Sequence, residues 1–288
     1  MHFADIKNDI AFRKIFGNDT KKEIIISFLN AVLTRSGSTT ITDVEILDPY
    51  QLPRIVGEKA TILDVRAKDQ AGNTYIVEMQ VTNRRGLDKR VVYYGAKTYV
   101  SQLDASEEFY TLKPVVLIGI LDFEYLDSPD YISRHLILDA ITGEHKLKDL
   151  EFTFIELPKF TKSESELTTL VEKWVYFIKN APNLTVIPAS VDDTGLYAAY
   201  EAADRHLWTK RELEQYSYVR LREADETARD MFVREQGMQQ GLQQGLQQGF
   251  HQVVQNAIAK GYDNQTIADI TGLSVEEIQQ IRETISKE

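Results

Sequence analysis

The chain has 288 residues, 43% of them hydrophobic, with 33 basic against 44 acidic side chains for a formal charge of -11 at pH 7, no cysteine and five histidines. That length can build a sizeable core with an appendage. The missing cysteines exclude disulfides, thiol catalysis and cysteine-ligated zinc, and the scattered histidines form no metal-ligand spacing. No apolar run of about 18 residues and no basic-then-apolar leader pattern occurs, so a cytoplasmic protein without a membrane partner is expected. The acidic balance runs against a broad DNA-binding surface, so any phosphate contact must come from a local basic patch.

From Asp5 to Leu33, the residues Phe12, Ile15, Phe16, Ile24, Ile25, Phe28, Leu29 and Val32 recur at helical intervals, and Gly17-Asn18-Asp19 breaks the run into two helices. Asp9 lies three residues ahead of this apolar face, where an acid is also explained by capping or by the helix dipole. A strand is expected from Thr40 to Leu47.

Residues Ala60 to Val81 read as a hairpin. Its two alternating runs are separated by Gln70-Ala71-Gly72-Asn73, and a type I turn closed by a left-handed Gly72 pairs Asp69 with Asn73. Counting back from the turn sets Lys68 opposite Thr74, Arg66 opposite Ile76, Asp64 opposite Glu78 and Ile62 opposite Gln80, all on one face. Leu63, Val65, Tyr75, Val77, Met79 and Val81 fall on the other, buried face. Opposed residues have Cβ atoms roughly 4.5–5.5 Å apart, so the like charges of Asp64 and Glu78 destabilise the sheet unless a cation lies between them. A hard divalent ion takes such oxygen ligands and keeps waters, leaving room for phosphate. The alternative is an ordinary hairpin whose acids point into solvent beside Arg66 and Lys68.

A helix follows over Leu87–Leu103, with Arg90, Tyr94, Lys97 and Ser101 on one face. A cation beside the acid pair could come from Lys97, or from Lys59 at the start of the first acidic strand. Arg84, Arg85, Lys89 and Arg90 against a lone Asp88 make the segment after Gln80 locally basic, interleaved with tyrosines. It suits salt-sensitive contact with a DNA backbone, or a solvated helix start followed by core tyrosines.

The continuous apolar run Lys113–Leu121 suits a central strand buried on both faces, joining the hairpin and the Thr40–Leu47 strand in a mixed sheet that Ser133–Leu138 and Phe152–Leu157 extend. From Ser163 the pattern turns helical, with Leu167, Leu170, Val171, Trp174, Val175 and Ile178 as a stripe, and a long charged helical run covers Thr209–Glu235. Gly237 to Phe250 repeats every four residues, either as a helix whose glycine ridge lies beside Met238, Leu242, Leu246 and Phe250 in an oligomer, or as a flexible linker. Val253–Lys260, Asn264–Ile270 and Ser274–Ile285 read as three short helices, the last with a Ser274/Glu277 capping box. Its turn resembles a helix-turn-helix, but Glu276, Glu277 and Glu283 would face phosphates, which favours a packing or oligomerisation module.

The order of pieces adds a resemblance over the first half of the chain. Asp64, then Glu78 and Gln80 on adjacent strands between two helices, looks like the PD-(D/E)XK nuclease core. More narrowly, Asp9-Ile10-Ala11-Phe12-Arg13-Lys14-Ile15-Phe16-Gly17, Ile62-Leu63-Asp64-Val65, Glu78-Met79-Gln80 and Tyr93-Tyr94-Gly95-Ala96-Lys97 resemble the recombination-promoting nuclease (Rpn) and putative transposase family. The resemblance implies an α/β fold, a restriction-endonuclease-like mixed sheet flanked by helices. It also implies Mg²⁺- or Mn²⁺-dependent hydrolysis of DNA, with Asp64 and Glu78 as metal ligands and Gln80 where the broader superfamily usually has lysine. An acid of the first helix sometimes approaches the metal in that superfamily, which makes Asp9 a further candidate. Glutamine can position a water but lacks the charge to offset developing negative charge on phosphate. The organisation expected is a nuclease-like core over residues 1–160, a helical extension over 161–235, the Gly/Gln segment over 236–250 and a three-helix module over 251–288. The alternative function is a catalytically weak or inactive nuclease fold serving as an oligomeric interaction module.

Overall fold

A computed structural model describes residues 1–51, 61–103 and 108–285. Two compact units divide it, Met1–Arg220 and Leu221–Glu288.

The first unit opens with helices α1 (Asp9–Phe16) and α2 (Glu23–Val32), separated where Gly17-Asn18-Asp19 was expected to break the run. Asn8 caps α1, its side-chain oxygen accepting from the Ile10 and Ala11 amides, so Asp9 sits in the first turn and is not the cap. The strands are β1 (Val44–Ile46), β2 (Tyr50–Gln51), β3 (Thr61–Ile62), β4 (Val65–Asp69) and β5 (Thr74–Gln80). Helix α3 (Leu87–Val100) leads to β6 (Val115–Leu121), β7 (Ile132–Ile137) and β8 (Leu147–Glu156). Helices α4 (Leu170–Asn180), α5 (Thr194–Ala203) and α6 (Lys210–Ala259) follow.

A six-stranded mixed sheet runs in the order β1-β4-β5-β6-β8-β7. The β5/β6 and β6/β8 pairs are parallel and the others antiparallel. Every residue of β6 is buried, as its unbroken apolar run demands of a central strand. The hairpin turn closes as counted: the Asp69 amide donates to the Asn73 carbonyl, Gly72 takes φ +90°, and Lys68 pairs with Thr74 and Arg66 with Ile76.

The hairpin departs from expectation at its open end. The β4/β5 ladder stops at Val65↔Val77, and Ile62 pairs with Tyr50 in a separate two-stranded sheet, not with Gln80. Leu63 therefore leaves the face predicted for it. It is buried among Ile76, Leu87, Val91 and Leu117, whereas Val65, Tyr75, Val77 and Met79 join the larger core on the opposite side of the sheet. Alternation holds only along an unbroken strand, and the break at Asp64 resets it. Val81, expected inside, is 44% exposed because β5 ends at Gln80.

The larger core packs α1, α2, α4 and α5 together, with Phe16, Phe28 and Trp174 in mutual ring contact. Thr169 starts α4 with a capping box, so the helix begins seven residues after Ser163. At α5, Gly195 allows close approach to α2, since a Cβ there would lie 2.3 Å from the Glu23 carbonyl oxygen. The start of α6 is tied to the N-terminus, where the Asp5 amide donates to the Tyr216 hydroxyl at 2.9 Å.

In the second unit the Gly/Gln repeat is helical, lying inside α6, and Val253–Lys260 ends that helix instead of forming one of its own. Helices α7 (Asn264–Thr271) and α8 (Val275–Ile285) complete the unit, and Ile267, Ile278 and Val254 form its buried cluster. The predicted capping box is present: the Ser274 amide donates to Glu277 Oε2 at 2.8 Å and the Glu277 amide to Ser274 Oγ at 3.2 Å. No helix among the described residues is long and apolar enough to cross a membrane.

Candidate active site

Where the β4/β5 ladder ends, two side chains take over its hydrogen bonds. The Asp64 amide donates to Glu78 Oε1 at 3.0 Å, and the Met79 amide donates to Asp64 Oδ2 at 2.9 Å. Each carboxylate thus satisfies a main-chain donor of the other strand, which holds both acids at the sheet end although they are not a ladder pair. Glu78 is 6% exposed and the Asp64 side chain 9%.

Two arginines flank this pair. Arg13 of α1 donates from Nη2 to Asp64 Oδ1 at 3.0 Å. Arg90 of α3 donates to Gln80 Oε1, while Gln80 Nε2 lies 3.4 Å from Glu78 Oε2. Glu78, Gln80, Arg90, Tyr94 and Gly119 line a pocket with room for roughly one water. The end of β6 closes the other side, where the Asp122 amide donates to the Gln80 carbonyl.

Electrostatics follow from burial. Glu78 is pushed up to about 8, first by desolvation and then by the charge of Asp64, against which the Asp64 amide, Arg90 and Arg13 pull down. Asp64 is also raised, by burial foremost, with Asp9 adding to the rise and the Met79 amide and Arg13 opposing it. Burial and Glu78 together raise the Tyr94 hydroxyl.

The donor set suits a hard divalent cation. Four carboxylate oxygens each accept one hydrogen bond and keep a further lone pair, and an amide oxygen stands beside them. A cation would also relieve the repulsion that raises Glu78. Among the described residues no group of three or more His, Asp or Glu side chains is poised for a metal, so waters or phosphate would complete the shell.

The structure brings Asp64, Glu78, Gln80 and Arg90 together, with Asp9 close enough to act on Asp64 by its charge. Lys97 lies seven residues beyond Arg90 on α3, about 10 Å along the axis. Lys59 falls outside the described residues. Arg84, Arg85 and Lys89 are exposed before and at the start of α3. Sequence reasoning missed Arg13 as a site residue; its signal was a cation at i+4 from Asp9 on the first helix.

A family model described as PD-(D/E)XK nuclease family transposase matches residues 6–229. The chain belongs to this family. The matched span takes in both arginines and both acids of the site. No curated protein and no solved structure matches the chain. PD-(D/E)XK nucleases typically act on DNA with a divalent metal, and the mixed sheet flanked by helices agrees with their fold.

Proposed function

We propose that this PD-(D/E)XK family protein is an Mg²⁺- or Mn²⁺-dependent DNA endonuclease, acting in the cytoplasm. The supporting observation is the pair Asp64 and Glu78, locked at the end of β4 and β5 and bracketed by Arg13 and Arg90.

Asp64 and Glu78 would hold the metal, with Asp9 adding negative charge nearby. A bound divalent ion supplies polarisation of the phosphate and a lowered pKa for an attacking water. Gln80 cannot carry the positive charge of the superfamily lysine, but its side-chain oxygen holds the Arg90 guanidinium, which brings that charge to the same place. Arg90 is therefore preferred over Lys97 and Lys59 as the group offsetting charge that builds on the phosphate oxygens. Arg84, Arg85 and Lys89 would grip the DNA backbone beside the site, in a salt-sensitive way.

Cleavage of supercoiled plasmid is expected for wild type with Mg²⁺ and for neither wild type with EDTA nor Asp64→Ala. Circular dichroism of both proteins guards against a folding defect. Equal activity in the variant would point to a contaminating nuclease and sink the reading.

A homo-oligomer formed through α6 accompanies this proposal. Met238, Leu242, Leu246 and Phe250 are exposed at four-residue intervals, and the glycines beside them have open space at Cβ.

A further inference from the structure

Arg13 is placed on an acid whose proposed role is to bind a cation. Its Nη2 occupies Asp64 Oδ1, the same oxygen a metal would compete for. The contact uses one donor of a guanidinium that can offer five, and the Arg13 Nε–H is buried without an acceptor among the described residues. A structural arginine–carboxylate pair favours two parallel hydrogen bonds, so this one is under-used. The Arg13 side chain is also 37% exposed against 9% for Asp64, which leaves the guanidinium open to a ligand from solvent.

Formal charge sharpens the point. With both acids ionised, as a bound cation requires, Asp64, Glu78 and the nearby Asp9 contribute three negative charges, and Arg13 and Arg90 contribute two positive ones. That set carries one net negative charge, and a divalent ion added alone would leave one uncompensated positive charge in a mostly buried place. A phosphodiester brings the missing negative charge, and its oxygens match a guanidinium fork.

We propose that Arg13 is a latch on Asp64 that transfers to a DNA phosphate, so that metal and DNA load the site cooperatively. The inference rests on the nuclease reading above. Arg13 then has two opposed effects: without DNA it weakens metal binding, and with DNA it strengthens phosphate binding. A residue that merely holds α1 against the sheet would not act in both directions.

The test uses the full chain and two readouts other than cleavage. Mn²⁺ binding without DNA is followed by electron paramagnetic resonance, and binding of a short duplex in EDTA by fluorescence anisotropy. For Arg13→Gln, roughly tenfold tighter Mn²⁺ binding together with weaker duplex binding is expected, the size of one charged hydrogen bond. Unchanged or weaker Mn²⁺ binding, or unchanged duplex binding, would overturn the latch. Should that variant fail to fold, Arg13→Lys stands in: the factor by which a duplex with non-hydrolysable linkages raises Mn²⁺ affinity, and Mn²⁺ raises duplex affinity, must be smaller in it than in wild type, and an equal factor overturns the latch. Independent binding overturns the proposal. The nuclease reading fails separately, when wild type binds Mn²⁺ no better than Asp64→Asn and cuts no plasmid.

Discussion

Glu78 shows how far a single side chain can be held from its preferred state. Folded, it keeps its proton to about pH 8, whereas an unfolded chain releases it near the ordinary carboxylate value of 4.5. Between those limits the folded state binds more protons, so stability falls as pH rises through the window, and the penalty is fully present above it. Glu78→Gln keeps an oxygen to accept from the Asp64 amide and removes the charge. Without metal, the variant should be more stable than wild type at pH 8.5 by on the order of 2 kcal/mol, with the gap closing towards pH 4.5. Thermal melts across that range check it, and a gap that widens on acidification would refute the assignment. Metal should raise the melting temperature of wild type and leave the variant unmoved. At this scale the nearness of Asp64 and Glu78 was legible from the turn at Gly72, although the ladder that the counting assumed ends at Val65 and side-chain-to-amide bonds, not strand pairing, join the two acids. Arg13 was not, since its contact spans 51 residues of chain and no local rule joins α1 to β4. Leu63 misled for a third reason, that alternation assumes the strand continues.

Among the elements, the contact between α2 and α5 depends on one missing methyl group. A Cβ at position 195 would lie 2.3 Å from the Glu23 carbonyl oxygen and 2.5 Å from the Ser27 Cβ, and main chain cannot swing aside as a side chain can. Ser27 itself is fixed, donating to Asp193 Oδ1 at 2.6 Å while accepting from Trp174 Nε1 at 3.1 Å. Gly195→Ala should therefore cost about 1–3 kcal/mol or more, measured by urea unfolding; a neutral result would mean that the two helices separate freely. The apolar strand β6 was plain in the sequence because burial on both faces writes an uninterrupted run. Strand β8 was recognised only over its second half, since Leu147 to Glu151 includes exposed and half-buried positions with no apolar run. The glycine repeat stayed ambiguous for an energetic reason: each glycine costs about 0.8–1.0 kcal/mol in a helix, yet α6 continues through four of them.

Viewed as a whole, the chain places its candidate chemistry in Met1–Arg220 and leaves an apolar stripe exposed in Leu221–Glu288. Self-association would cover that stripe, and small residues beside it permit close helix approach. Light scattering should give a mass above that of a monomer for wild type, and Leu242→Glu with Leu246→Glu should reduce it to 33.0 kDa. A monomeric wild type would rule out the assembly. The break at Asp64 has a consequence for how such a protein can change. Leu63 is anchored on one side of the sheet and Val65 on the other, so the acid between them is clamped by two separate layers. Length differences in the chain ahead of Leu63 would be absorbed before they reached Asp64. Such differences would leave the alignment of the acid pair unchanged, much as a tool bit is exchanged without re-boring the chuck.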